Sequence, residues 1–286
     1  GQEAAQVGAA FTLKRGYDWV TPYYRDLALL ISLGYPARQF MLSLMGKKEE
    51  SNSGARQMPN HWSMREANVV SLSAPVATQN VHASGIALAI KLNKEDKVVL
   101  TCTGEGSTSQ GEWYEAVNWA AIHKLPVIFL VQNNHYAISE RPEKQMAVPS
   151  AADKACGLGL PGITVDGTNP FLVYEAVSRA VEQARAGNGA TLIEARAYRI
   201  PPHSSDDDDR SYRTREEVES FKKQDPILVT RRILEEDGLL DENSYKELDL
   251  KAKDIVDEAV AYAEAAPYPE PHEGLYPVYA EEVKHA

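Results

Sequence analysis

Lys97-Val98-Val99-Leu100-Thr101-Cys102-Thr103-Gly104-Glu105-Gly106-Ser107 opens a unit that runs through Glu112–Lys124 to Val127-Ile128-Phe129-Leu130-Val131-Gln132-Asn133-Asn134-His135-Tyr136. The apolar runs 97–102 and 127–131 read as strands buried on both faces, and 112–124 as the helix between them. Strand, helix and strand in this order make a parallel βαβ unit, whose two strands end at the same sheet edge. Glu105 and Asn134 therefore stand side by side, although a helix and a strand separate them in sequence. The crevice beyond the strand C-termini is where such sheets bind ligands. A carboxylate, an amide oxygen and a nearby backbone carbonyl form a hard oxygen set suited to Mg²⁺, which takes its remaining oxygens from phosphates and water. Gly104 and Gly106 allow close approach of the backbone. The helix beginning near Gly111 is expected to aim N–H groups at a phosphate.

Outward from this unit the alternation continues. Helices are predicted over 2–14 and 24–33, stopped by Gly16 and Gly34. The polar stretch 46–60 reads as a mobile loop, and 76–92 as a buried helix. Downstream come a helix over 151–158, a short strand over 162–165, a helix over 170–186 and a strand over 192–198. The fold class is α/β, a parallel sheet with helices on both faces. Past residue 200 a polar loop, 201–213, leads to a charged stretch of helical period, 214–265. The proline-rich tail from Ala266 to His272 is predicted to be extended. The chain opens inside an amphipathic pattern, so a segment preceding Gly1 is expected.

Composition narrows the function classes. Of 286 residues, 43% are hydrophobic and 25% charged, which excludes wholesale disorder. The net charge of −11 repels nucleic-acid backbones. No apolar run approaches the ~20 residues that span a bilayer. Cys102 and Cys156 form no C-x-x-C pair, which excludes a disulfide scaffold and fits a reducing cytoplasm. One glycine motif competes for attention: Gly157-Leu158-Gly159-Leu160-Pro161-Gly162 matches G-x-G-x-x-G. A dinucleotide site needs a strand before it and a helix after it. The order here is reversed, so a helix C-cap and turn is the better reading, with a nicotinamide-dependent oxidoreductase as the rival from a different class.

G-E-G followed after about thirty residues by N-N, on a βαβ frame, resembles the thiamin diphosphate motif. Gly1-Gln2-Glu3-Ala4-Ala5, Pro22-Tyr23-Tyr24-Arg25-Asp26, Arg56-Gln57-Met58-Pro59, Ser73-Ala74-Pro75-Val76-Ala77-Thr78-Gln79 and Tyr198-Arg199-Ile200-Pro201-Pro202-His203 follow in order. Together they resemble the α subunit of the 2-oxo acid dehydrogenase E1 component, from residue 1 to about 235, most like the branched-chain group. The resemblance implies a thiamin diphosphate-binding fold, with 1–200 as the diphosphate-binding domain, 201–213 as an active-site loop and 214–286 as its helical C-terminal region.

The resemblance also implies the chemistry. Glu105 and Asn134 through their side chains, and Tyr136 through its carbonyl, would bind Mg²⁺. Tyr24 and Arg25 would hold the diphosphate, and the main chain of Ala74 and Val76 would meet the aminopyrimidine. Gly104, Gly106, Ser107 and Ile138 would complete the cofactor contacts. His203 would be the active-site histidine and His61 a second one. Ser73, Thr78 and Gln79 match a K⁺ site. The implied reaction decarboxylates a branched-chain 2-oxo acid and passes the acyl group to a lipoyl-bearing E2 acyltransferase. A β subunit would complete an α₂β₂ heterotetramer, because the chain has length for only one of the two cofactor-binding domains. A pyruvate or acetoin dehydrogenase α chain is the rival within the family, and a non-catalytic scaffold subunit is a further one. Two departures stand out. Gln132 replaces an Arg of the animal branched-chain group, which predicts one phosphate cation fewer and weaker cofactor affinity. His135 replaces a small residue.

Overall fold

A computed structural model describes residues 1–275. The four apolar segments of the alternation become strands β2 (Val99–Gly104), β3 (Val127–Asn133), β4 (Gly162–Asp166) and β5 (Thr191–Arg196). A three-residue strand, β1 (Trp19–Thr21), adds to the edge, giving an all-parallel sheet in the order β1-β2-β3-β5-β4. The sequence pattern does not announce β1, since three residues running into Pro22 carry no periodic signal.

The continuous apolar strands split their side chains between two cores. Leu100, Cys102, Ile128, Leu130, Ile193 and Ala195 point to one face, and Val99, Val127, Phe129, Val131 and Leu192 to the other. The first face is covered by α1 (Glu3–Ala10), α2 (Leu27–Ser32) and α7 (Pro170–Arg185). The second is covered by α4 (Thr78–Leu92), α5 (Gly111–Ile122) and α6 (Lys154–Leu158). Each buried aliphatic side chain contributes roughly 1.5–3 kcal/mol, so the double covering is what holds the strand ends in place.

Helix α3 (Ala37–Leu44) is a second element absent from the sequence reading. It buries Leu42 against Ala263 and Ala266, at the far end of α10 (Glu242–Ala265). The charged stretch after residue 213 forms α8 (Arg215–Lys222), α9 (Pro226–Glu236) and α10. Thr214, Asp225 and Asp241 cap them by accepting backbone N–H bonds. The tail is not wholly extended: Pro271–Leu275 makes a 3₁₀ turn. The end of the predicted C-terminal region, 276–286, lies outside the described residues. The polar stretch 46–60 is organised around the buried Glu50 carboxylate, which accepts backbone N–H bonds from Asn52, Ser53 and Ala55. Among the described residues no helix is long and apolar enough to cross a membrane.

Candidate active site

The ends of β2 and β3 open into a cavity of about 700 Å³. Tyr24, Arg25, Val76, Gly104, Glu105, Gly106, Ser107, Asn134, Tyr136, Ile138 and His203 line it, all of them residues that the sequence brought forward. Ala74 and His61 are not among the lining residues. His61 instead sets Nδ1 against the Pro59 carbonyl at 3.1 Å. Ser109, Ala137, Glu140, Lys144 and Gln145 also line the cavity and carry no signal in the sequence. They stand in short turns with no periodicity to read.

Glu105 is the first residue of a 3₁₀ turn, Glu105–Ser109, that follows β2 directly. Its Oε2 accepts the Asn134 backbone N–H at 3.2 Å, which is the side-by-side placement expected of the βαβ unit. Its Oε1 is buried and has no hydrogen-bond partner among the described residues. Burial holds the Glu105 carboxyl above the usual carboxylate range, with backbone hydrogen bonds opposing. A buried carboxylate oxygen left without a donor is what a cation ligand looks like in the absence of the cation. The 3₁₀ turn also corrects one expectation. It stands between β2 and α5, and Gly111 at the start of α5 does not line the cavity. The turn, and not the α5 N-terminus, borders the cavity.

Beyond β3 the backbone turns sharply. His135 and Ile138 both adopt positive φ, +70° and +56°. For a β-branched residue such as Ile138 this is a strained conformation. Arg199 holds the turn: it donates to the Tyr136 carbonyl at 2.9 Å and to the Ile138 carbonyl at 2.7 Å. The positive φ at 135 explains why a small residue suits that position. Here the His135 ring packs beside Tyr198 and Phe221, with centroids 5.9 and 5.4 Å away. The Tyr136 hydroxyl donates to Glu217 on α8 at 2.7 Å, tying the turn to the C-terminal helices.

Arg25 lies against the Tyr24 ring, 5.0 Å from its centroid, at the cavity wall. His203 stands on the polar loop, and its Nδ1 is a buried atom without a partner among the described residues. Burial, and then the charges of Arg25 and Arg199, hold the His203 imidazole below its ordinary range. Asp207 accepts the His203 backbone N–H at 2.7 Å and bonds the Tyr212 hydroxyl. Asp209 pairs with the buried Arg213 at 2.6 Å. Two of the four aspartates in 206–209 thus build the loop.

The profile of the family described as "Dehydrogenase E1 component" matches residues 1–272. The chain belongs to that family. This E1 chain is 50% identical over 280 residues to the 2-oxoisovalerate dehydrogenase subunit alpha of Bacillus subtilis, covering 98% of the chain and 85% of the relative. It is 38% identical over 281 residues to the 3-methyl-2-oxobutanoate dehydrogenase subunit alpha of Mycobacterium tuberculosis, covering 98% and 74%. It is 37% identical over 265 residues to the pyruvate dehydrogenase E1 component subunit alpha of Staphylococcus aureus, covering 92% and 69%.

The remaining glycine and oxygen clusters of this E1 chain can now be placed. Gly159, at φ +75°, closes α6, and Gly162 begins β4, so the G-x-G-x-x-G stretch is a helix stop and a strand start. At the implied K⁺ site, Gln79 donates from Nε2 to the Cys102 carbonyl at 2.9 Å, while its Oε1 is buried without a partner among the described residues. Thr78 donates its hydroxyl to Glu112, and Ser73 is half-buried just before α4. Gln132 departs from what its sequence position implied. It is fully buried, does not line the cavity, and donates to Asp26 at 2.6 Å.

Proposed function

We propose that this chain is the α subunit of a branched-chain 2-oxo acid dehydrogenase E1. It decarboxylates a substrate such as 3-methyl-2-oxobutanoate with thiamin diphosphate and transfers the acyl group to a lipoyl-bearing E2. The observation that carries the reading is the unpartnered Glu105 Oε1, beside Asn134 at the joint end of β2 and β3, in a cavity that also holds Arg25 and His203. The relatives named for branched-chain substrates include the one at 50% identity, against 37% for the pyruvate enzyme, which favours the branched-chain class.

Thiamin diphosphate, when bound, supplies a carbon nucleophile and takes up the electron pair released with CO₂. In this reading Glu105 and Asn134 hold Mg²⁺ by their side chains and Tyr136 by its carbonyl oxygen. Arg199 aims that carbonyl from behind, leaving its second lone pair for the metal. Tyr24 and Arg25 hold the diphosphate; a guanidinium fork matches phosphate oxygens. The main chain of Ala74 and Val76 meets the aminopyrimidine, and Gly104, Gly106, Ser107 and Ile138 shape the diphosphate end. His203, whose Nδ1 is without a partner among the described residues, can move a proton during acyl transfer. Ser73, Thr78 and Gln79 hold K⁺, which orders the segment ahead of α4. His61, which does not line this cavity, would be the second active-site histidine.

A β subunit supplies the second half of the cofactor site in an α₂β₂ assembly. Decarboxylation assays test the whole reading. The chain alone is expected to be inactive, and the complex with its β partner to turn over 3-methyl-2-oxobutanoate faster than pyruvate. Activity of the isolated chain, or a preference for pyruvate, would overturn it.

A further inference from the structure

A carboxamide can meet a cation with its oxygen or with its NH₂, and only the oxygen can ligate. Asn134 must therefore be held with Oδ1 towards the metal. Oδ1 of Asn134 accepts the Tyr136 backbone N–H at 3.2 Å, and Nδ2 donates to Gln2 Oε1 at 3.0 Å; Gln2 is not among the residues that line the cavity. We infer that Gln2 is a positioning residue that holds this orientation together with the Tyr136 backbone N–H, as the last member of a buried carboxamide relay. The inference rests on the reading of Glu105 and Asn134 as metal ligands.

The sense of the relay is set by groups that cannot turn over. Gln6 Oε1 accepts the Ala28 backbone N–H at 3.0 Å, and Gln6 Nε2 donates to the Arg25 carbonyl at 3.0 Å. Gln6 Nε2 also donates to Gln132 Oε1 at 2.9 Å, which fixes the oxygen end of Gln132. The nitrogen end of Gln132 donates to Asp26, whose other oxygen takes the Tyr23 backbone N–H at 2.9 Å. With Gln132 so oriented, Gln2 must turn Nε2 towards it, and that bond is 3.1 Å. Gln2 Nε2 also donates to the Tyr23 hydroxyl at 2.9 Å. Gln2 Oε1 is then the only end left for Asn134. A single reversal anywhere would set two donors or two acceptors face to face among buried groups, where an unmade hydrogen bond is expensive. Gln132 is fully buried, while Gln2 and Gln6 also border a neighbouring cavity of about 460 Å³.

The test measures metal affinity, not turnover. The complex with the β partner, loaded with thiamin diphosphate, is titrated with Mn²⁺ and the free ion is followed by electron paramagnetic resonance. Gln2→Met, which keeps volume but removes the acceptor, is expected to weaken Mn²⁺ binding about 10–100-fold, as loss of an outer-shell partner does. Gln2→Asn, polar but one methylene too short, is expected to weaken it in the same direction and guards against a folding defect in the first variant. In an Asn134→Asp background a carboxylate oxygen faces Gln2 Oε1, two acceptors, so Gln2→Met should no longer weaken the metal and is expected to leave the affinity unchanged or raise it. Wild-type affinity in both Gln2 variants overturns the inference. So does an equal loss in the Asn134→Asp background, which would make Gln2 merely structural. Failure of the ligand reading shows separately: Glu105→Ala would then bind Mn²⁺ as the unaltered complex does, and both readings fall.

Discussion

Glu105→Gln should stabilise the metal-free protein while disabling it. Glu105 is only 1% exposed, and of its two oxygens one accepts the Asn134 backbone N–H while the other has no partner among the described residues. Burial raises the Glu105 carboxyl above its usual range, so ionising it in the fold costs more than in water. Leaving a buried acceptor unmet costs about 1–3 kcal/mol, more for a charged group. The substituted amide keeps one oxygen for Asn134, and the gain comes from removing the buried charge, because its NH₂ takes the place of an equally buried atom. Relief of about 1–2 kcal/mol is expected. In a chain of this size each kcal/mol moves the melting temperature by about 2–4 °C, so the metal-free variant should melt roughly 2–8 °C higher. Mg²⁺ with thiamin diphosphate should do the reverse. At a hundred times its Kd a ligand adds about 2.7 kcal/mol to stability, and that increment should be present in the unaltered protein and absent in the Glu105→Gln variant. Differential scanning calorimetry of the αβ complex, in chelator and in excess Mg²⁺ with cofactor, reads both numbers. A lower metal-free melting temperature together with an undiminished gain on adding Mg²⁺ would refute the assignment of Glu105 as a carboxylate kept for a cation.

Gly106→Ala places a Cβ 2.6 Å from Ala137 Cβ and 3.1 Å from Gln145 Oε1, so the turn carrying Tyr136 and Ile138 must shift; kcat/KM is expected to fall about 10–100-fold with little change in metal-free melting. His203→Ala should slow acylation of lipoyl-E2 on the order of a hundredfold, measured with free lipoyl domain, and wild-type rates would remove His203 from proton transfer. Burial raises Asp26 to about 7 from 3.8, so the folded state binds its proton more tightly than the unfolded state. Stability should therefore decline as pH rises through that window, by on the order of a few kcal/mol in total, and Asp26→Asn should flatten the slope in denaturant melts at pH 5 and 8.

Most of the sheet was legible because its strands are apolar on both faces and bounded by turn residues. Val127 to Val131 needs no tertiary information to be recognised. β1 and α3 were not legible for a common reason: each depends on a distant partner. Trp19–Thr21 is a strand only because Val99–Thr101 lies beside it, and Leu42 is covered only because α10 returns to it. Glu105 and Asn134 could be paired from sequence because a βαβ unit brings its strand ends together whatever the residues between them. Ala74 and His61 had no such rule behind them, and neither lines the cavity. Gln2 and Gln6 escaped notice, and Gln132 reads only as a lost charge, because glutamine in a hydropathy pattern reads as surface and their mutual bonds span 126 and 130 positions.

Gln132 shows how far a single position can mislead when only its charge is considered. From sequence it is an arginine lost, and a weaker hold on the diphosphate follows. In the folded chain the 132 side chain is buried and donates to Asp26. A guanidinium has five donors and no acceptor, so an arginine there would face the Nε2 groups of Gln2 and Gln6 with nothing to accept their bonds. Glutamine offers one of each: Nε2 for Asp26, Oε1 for Gln2 and Gln6. The relay that turns the Asn134 oxygen towards the metal thus requires an acceptor at 132, which an arginine could not provide. The positive charge at the diphosphate end then falls to Arg25 on the cavity wall, with Lys144 also lining the cavity and paired to Glu140 at 3.3 Å. A residue that reads as a missing phosphate ligand is, in this fold, the shared acceptor for Gln2 and Gln6.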